Sequence, residues 1–157
     1  MLDIKIVAVS KIKNRNLNSL TEEYLKRLKP YARVKVFELP AFSFSSKNKE
    51  AAKNFESEKI EEFLEKEEKK NNNSGVYLLA ERGKDFASSV ELANWLNKKN
   101  PLTLVIGGSL GFSDSLYNKY PQISLSKLTY PHEIARLLLF EQIYRAVTII
   151  NKKDYHY

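Results

Sequence analysis

The stretch LTLVIGGSLG (Leu102–Gly111) decides the fold. Its first half, Leu102–Ile106, is a continuous apolar run of strand length, the pattern of a strand buried on both faces of a sheet. Its second half sets three glycines directly after that strand. In open α/β sheets ligands sit outside the carboxyl ends of the strands, where glycine lets the backbone approach a ligand closely. All five glycines of the chain fall between Gly75 and Gly111, and Gly83 follows the preceding strand, Val76–Ala80, in a similar place. The spacing G-G-x-x-G matches neither the dinucleotide fingerprint nor a Walker loop. Two readings stay open: ordinary tight turns, or a small ligand held mainly by backbone.

Working outward, strands alternate with helices. Ile4–Val9 reads as a first strand, followed by the basic loop Lys11–Asn16. Leu17, Leu20, Tyr24, Leu25 and Leu28 then recur at helical spacing up to Pro30. Val34–Leu39 is a second strand stopped by Pro40, and a Ser-rich loop with Phe42 and Phe44 follows. A charge-laced helix is predicted from Glu50 to Lys70, with Ala52, Phe55, Ile60, Phe63 and Leu64 as its apolar stripe. The turn Asn71–Gly75 ends it. Ser88 with Glu91 makes a capping-box start for a helix through Trp95. A short helix around Ser113–Tyr120, a strand near Ile123–Leu125 and a last helix from His132 to Ile150 complete the pattern. The alternation predicts one α/β domain, residues 1–157, with a mostly parallel sheet flanked by helices.

The last helix is apolar nearly all round, from Ile134 through Phe140 to Ile150, which predicts burial on more than one side and so a second subunit. Its polar residues are paired at i,i+4: His132 with Arg136, and Glu141 with Arg145. An ion pair is the plainer reading of the second pair, and a cap or core role is an equal reading of His132. The tail, Lys152–Tyr157, either frays or folds over a site, where Tyr155 and His156 would offer stacking and proton transfer.

Composition excludes several classes. The 157 residues contain no Cys, so there is no disulfide framework, and only two His, which leaves a catalytic metal site unexpected. No apolar run approaches the roughly 20 residues needed to cross a bilayer. The N-terminus lacks a cleavage site, so a cytoplasmic protein is expected. The net charge of +7 favours a polyanionic partner.

Four motifs, IGGSLG (Ile106–Gly111), LSKLTYPH (Leu125–His132), EQIYRA (Glu141–Ala146) and the terminal Tyr155–His156, together resemble the RlmH family. These are bacterial SPOUT-class methyltransferases acting on a pseudouridine of 23S ribosomal RNA. The IVAV start (Ile6–Val9) and YLKRL (Tyr24–Leu28) extend the resemblance along the whole chain. It implies a C-terminal trefoil knot, a homodimer, and S-adenosylmethionine as methyl donor. The implied cofactor contacts are Leu79, Gly107 and the loop Leu125, Ser126, Lys127, Leu128, Thr129 and Tyr130. The implied reaction methylates N3 of the pseudouridine in the assembled ribosome. His156 is the candidate for proton handling, Tyr155 for packing the base, and Arg136 or Arg145 for stabilising negative charge. Two departures stand out: Ala80 where the family commonly has an acidic residue, and Tyr157 where it usually ends in Lys or Arg. The alternatives are a SPOUT-class enzyme acting on tRNA, a basic RNA-binding dimer without chemistry, and a purely structural oligomer.

Overall fold

The computed structural model describes residues 1–70 and 74–157 of the chain. The order is β1 (Leu2–Val9), α1 (Arg15–Leu28), β2 (Ala32–Leu39), α2 (Lys49–Lys70), β3 (Gly75–Lys84), α3 (Ser89–Lys99), β4 (Leu102–Ile106), α4 (Asp114–Lys119), β5 (Gln122–Ile123) and α5 (His132–Ile150). The turn expected over Asn71–Gly75 falls largely on residues 71–73, outside the described residues. All strand pairs are parallel, and the sheet order is β2-β1-β4-β3-β5.

Alternation along the strands splits the core into two layers. Ile4, Ile6 and Ala8 of β1, with Leu102, Leu104 and Ile106 of β4, face α1, α3 and α5. Val7, Val9, Leu78 and Val105 point the other way, onto Ile60 and Leu64 of α2 and Leu116 of α4. Every residue of β4 is buried, as its unbroken apolar run demands. Lys5 faces the α2 layer as well, and its ammonium pairs with Glu67 at 2.7 Å. The start of α3 also follows its sequence signal: Ser88 Oγ accepts the Glu91 N–H at 3.2 Å. Glu91 reaches back one residue further than in the usual box and accepts from the N–H of Ala87 at 2.8 Å.

Two expectations need correcting. β5 covers only Gln122–Ile123, and β3 runs on to Lys84, well beyond Ala80. β3 pairs with Ile123 twice, through Leu79 and again through Lys84 across a bulge, so the longer strand wraps the shorter one. Gly83 is therefore inside a strand and not in a ligand turn. A Cβ there would stand 2.6 Å from the backbone N of Ile123, so glycine lets β3 and β5 approach. Gly83→Ala is expected to destabilise the protein by about 1–3 kcal/mol through overpacking. Chemical denaturation would measure the loss, and hydrogen exchange should place it at β5; an unchanged midpoint would contradict the close approach.

Candidate active site

Three segments meet at the carboxyl ends of β4 and β5, beside the middle of β3: Leu79–Glu81, Ile106–Phe112 and Ser124–Ala135. They enclose a cavity of about 680 Å³, within the range of roughly 300–1,000 Å³ that small-molecule sites occupy. The fully buried β4 turns out of the sheet at Gly107, and the Gly111 N–H closes the turn on the Gly108 carbonyl at 3.1 Å. The turn is held from below by α2, where Ser57 Oγ accepts the Ser113 N–H at 2.9 Å. The third segment is tied by its own serines. Ser124 Oγ donates to the Ser126 carbonyl at 2.6 Å, and Ser126 Oγ accepts the Leu128 N–H at 3.0 Å.

Of the residues expected to contact a cofactor, Leu79, Gly107, Leu125, Ser126, Leu128, Thr129 and Tyr130 line this one cavity. Lys127 does not: its side chain is exposed and its ammonium lies 3.6 Å from Asp85. His132 and Ala135 add the first turn of α5 to the wall, and Ser109 Oγ lies 3.3 Å from Nδ1 of His132. No Lys or Arg is among the described residues that line the cavity, and the one acidic residue there is Glu81.

The expected catalytic residues are placed elsewhere. Arg136 is buried and joins α5 to the ends of β1 and β2, donating to Glu38 at 2.6 Å and to the Ser10 carbonyl at 3.3 Å. The Glu141–Arg145 ion pair forms at 2.6 Å, and the Arg145 guanidinium stacks 4.9 Å from the centre of the Tyr155 ring. Tyr155 donates to Glu141 at 3.2 Å and packs on Tyr144 with ring centres 4.8 Å apart. Burial, then the hydroxyl of Tyr24 and the Glu141 carboxylate, push its phenol well above the ordinary tyrosine value. Tyr144 lies twelve residues beyond His132, which is roughly 18 Å along the helix axis. The tail, with exposed His156, thus packs far along α5 from its own chain's cavity.

Reading the sequence did not mark Glu56. It is 4% exposed, and its Oε1 accepts the Phe42 N–H at 3.1 Å. The signal was its position: Ala52, Glu56, Ile60 and Leu64 stand four apart on the buried face of α2, and Glu56 is the one charged member. Glu133 was also unmarked. In the first turn of α5 it accepts the N–H groups of Lys13 (2.6 Å) and Asn14 (3.3 Å), tying the basic loop before α1 to the cavity rim.

Fold and cavity together define an α/β protein with a cavity of small-molecule size at the carboxyl edge of a parallel sheet. A solved structure concerned with the 2-OH methylation of C/U34 on tRNA shares this fold, at 13% identity and a TM-score of 0.54, over 97% of this chain and 99% of that one. The family model described as "Predicted SPOUT methyltransferase" matches residues 2–156, so the chain belongs to that family and is a methyltransferase. Relatives named "Ribosomal RNA large subunit methyltransferase H" from Enterococcus faecalis and from Carboxydothermus hydrogenoformans are each 39% identical, over 99% of this chain and 99% of theirs.

The methyl donor is S-adenosylmethionine, and the cavity suits it. The space is sufficient, Leu79, Ile106, Leu125 and Leu128 supply apolar wall, and no basic side chain opposes a cationic ligand among the described lining residues. A phosphorylated nucleotide would find no counter-charge among them. No group of three or more metal-ligating side chains occurs among the described residues.

The Lys13 and Asn14 hydrogen bonds hold the Glu133 carboxyl below its ordinary 4.5. Its folded value lies below its unfolded one, so the stability it contributes is full above the unfolded value and is lost as pH falls through the folded one. Glu133→Gln is therefore expected to cost about 1 kcal/mol at neutral pH. The difference from the unmodified protein should shrink below about pH 4. Denaturant titrations over pH 3–7 test this, and a gap that widens in acid would contradict it.

Proposed function

We propose that the protein methylates N3 of a pseudouridine in 23S ribosomal RNA on the assembled ribosome, working in the cytoplasm as a homodimer of single SPOUT domains spanning residues 1–157. The observation that carries this reading is 39% identity, over 99% of both chains, to enzymes named for ribosomal RNA large-subunit methylation. The pseudouridine and its N3 rest on the motif pattern from Gly107 to His156. The +7 charge and the tethered loop bearing Lys11, Lys13 and Arg15 beside the cavity rim support RNA phosphate contacts. No helix is long and apolar enough to cross a membrane among the described residues.

The dimer is supported by apolar surface that one copy leaves open, notably Leu20 of α1 (50% exposed) and Ile134 of α5. The knot is supported by the path of the chain. After the edge strand β5 it crosses back over the ends of β3 and β4 to reach a helix packed against both α1 and α3.

When bound, S-adenosylmethionine supplies an electrophilic methyl carbon on a cationic sulfur. The chain's own task is alignment and exclusion of water. Leu79, Gly107 and the Leu125–Tyr130 loop hold the donor, with Lys127 serving to pin that loop outside the cavity. The imide proton of N3 must leave, and His156 takes it while Tyr155 packs the base and Arg145 offsets developing negative charge. Arg136, held by Glu38, positions the start of α5. Since the tail packs roughly 18 Å along α5 from its own cavity, the His156 that serves a cavity belongs to the second copy.

Incubation with labelled S-adenosylmethionine and ribosomes from cells lacking the activity, followed by mass-spectrometric mapping, tests the substrate. A methyl group on N3 of a large-subunit pseudouridine is expected. Transfer to free tRNA in its place would replace the substrate and keep the enzyme class. His156→Ala should lower the rate by about 10²–10⁴-fold with cofactor binding unchanged. Mixed dimers of H156A with the cavity-filling Gly107→Leu should recover activity, because one cavity then meets one intact tail. Mixed dimers that stay inactive would return the tail to its own subunit.

A further inference from the structure

One buried acid, Glu56, has no part in the reaction as derived from the cavity and the tail. Its carboxyl lies in the α2 layer, directly beneath the glycine turn that floors the cavity. One oxygen accepts the Phe42 N–H, and the other, Oε2, is buried without a hydrogen-bond partner among the described residues. A Cβ at Gly108 would overlap Oε2, so the carboxyl is pressed against a residue of the cavity wall with no side chain between. Leaving a carboxylate oxygen unpaired in the interior costs free energy, and an apolar residue would fill the site without that cost. When ionised, a carboxyl so placed calls for a compensating charge nearby. The cavity wall supplies no Lys or Arg among its described residues.

We infer that Glu56 reads the charge of the bound ligand: as a fixed carboxylate behind Gly108 it favours a cationic sulfonium in the cavity over a neutral thioether. This rests on the cofactor reading and extends it to a residue with no assigned role. In methyl transfer the bond from sulfur to the methyl carbon breaks, sulfur keeps the electron pair, and its positive charge disappears. The methyl moves to the acceptor nitrogen, whose proton goes to the base. Donor and product, S-adenosylhomocysteine, therefore share almost every contact and differ by one charge. A counter-charge behind Gly108 of the cavity wall distinguishes them by that charge, and it loosens the site for product once the methyl has left.

The surroundings agree. Burial pushes the Glu56 carboxyl up, with the Phe42 N–H and then His132 acting in the opposite sense. His132, itself in the wall and 3.3 Å from Ser109 Oγ, is the titratable group that faces Glu56 from α5. A cation in the cavity adds to its effect and favours the ionised carboxylate. The absence of a side chain at Gly108 is what lets the carboxyl stand there, since a Cβ would displace Oε2.

The test is calorimetric binding of S-adenosylmethionine and S-adenosylhomocysteine, separately, to the unmodified protein, Glu56→Gln and Glu56→Asp. Gln keeps the acceptor for Phe42 and removes only the charge; Asp keeps the charge. E56Q is expected to shift the ratio of the two dissociation constants roughly tenfold against the cationic ligand, the size of one partly screened interior charge. E56D should keep the ratio even where both affinities fall. A merely structural role would weaken both ligands in E56Q alike and leave the ratio unchanged, which would overturn the inference. Loss of the ratio in E56D with its retention in E56Q would overturn it too. Failure of the unmodified protein to bind either ligand is a different result, and overturns the cofactor reading itself.

Discussion

Everything at the site depends on β4 being buried on both faces. A strand enclosed by α2 and α4 above and by α1, α3 and α5 below has no solvent-facing side through which to leave the sheet. Its chain must turn at Gly107 in the narrow gap between α2 and the start of α5. There the backbone lies against Glu56 on one side and the cavity on the other. Beside that turn lie the Leu79–Glu81 part of β3, which itself continues to Lys84, and the chain that follows β5, and the three segments leave a space between them. The cavity lies at the carboxyl edge of the sheet, lined both by the glycine turn and by larger side chains such as Leu79, Ile106, Leu125 and Leu128.

Charge is sorted by depth. The outer surface carries the basic surplus, including the Lys11–Arg15 loop and the tail lysines, whereas the cavity wall has no basic residue among those described. Exposed cations suit a polyanion whose counterions are released on contact. Inside, the Glu56 carboxyl lies behind a wall with no Lys or Arg among its described residues, a setting that suits a small cation. One chain can thus hold two ligands of opposite charge within a short distance, because the interior charge is shielded from the RNA by the fold and acts mainly within the cavity.

Helix α5 links these regions. Its first turn forms cavity wall, Glu133 ties down the basic loop, Arg136 clamps the ends of β1 and β2, and the last turns carry the Tyr24–Tyr144–Tyr155 cluster with Arg145 and Glu141. A straight helix of this length keeps its two ends apart. That rigidity keeps the tail, packed on Tyr144, away from its own chain's cavity.

Much of this was legible in the order of residues. The apolar run Leu102–Ile106 reports a doubly buried strand because side-chain period and burial are local properties. Ser88 with Glu91 reports a helix start for the same reason, and α5 was readable from His132 to Ile150. The glycines after β4 were readable as a turn beyond a buried strand, and they line the cavity; the place of Gly83 was not readable, because its neighbour, Ile123, is distant in sequence and only strand pairing brings the two backbones together. Arg136 is the same kind of case: its partner Glu38 comes from the end of another strand. Glu56 lay on an apolar ladder of α2 in plain view, yet what it meets was decided by the packing of α2 under the Gly107–Phe112 turn. Sequence alone determined the order of strands and helices, the family and most of the residues that line the cavity. Tertiary structure decided which side chains are already committed to one another, because burial and partner choice depend on contacts between residues far apart in the chain.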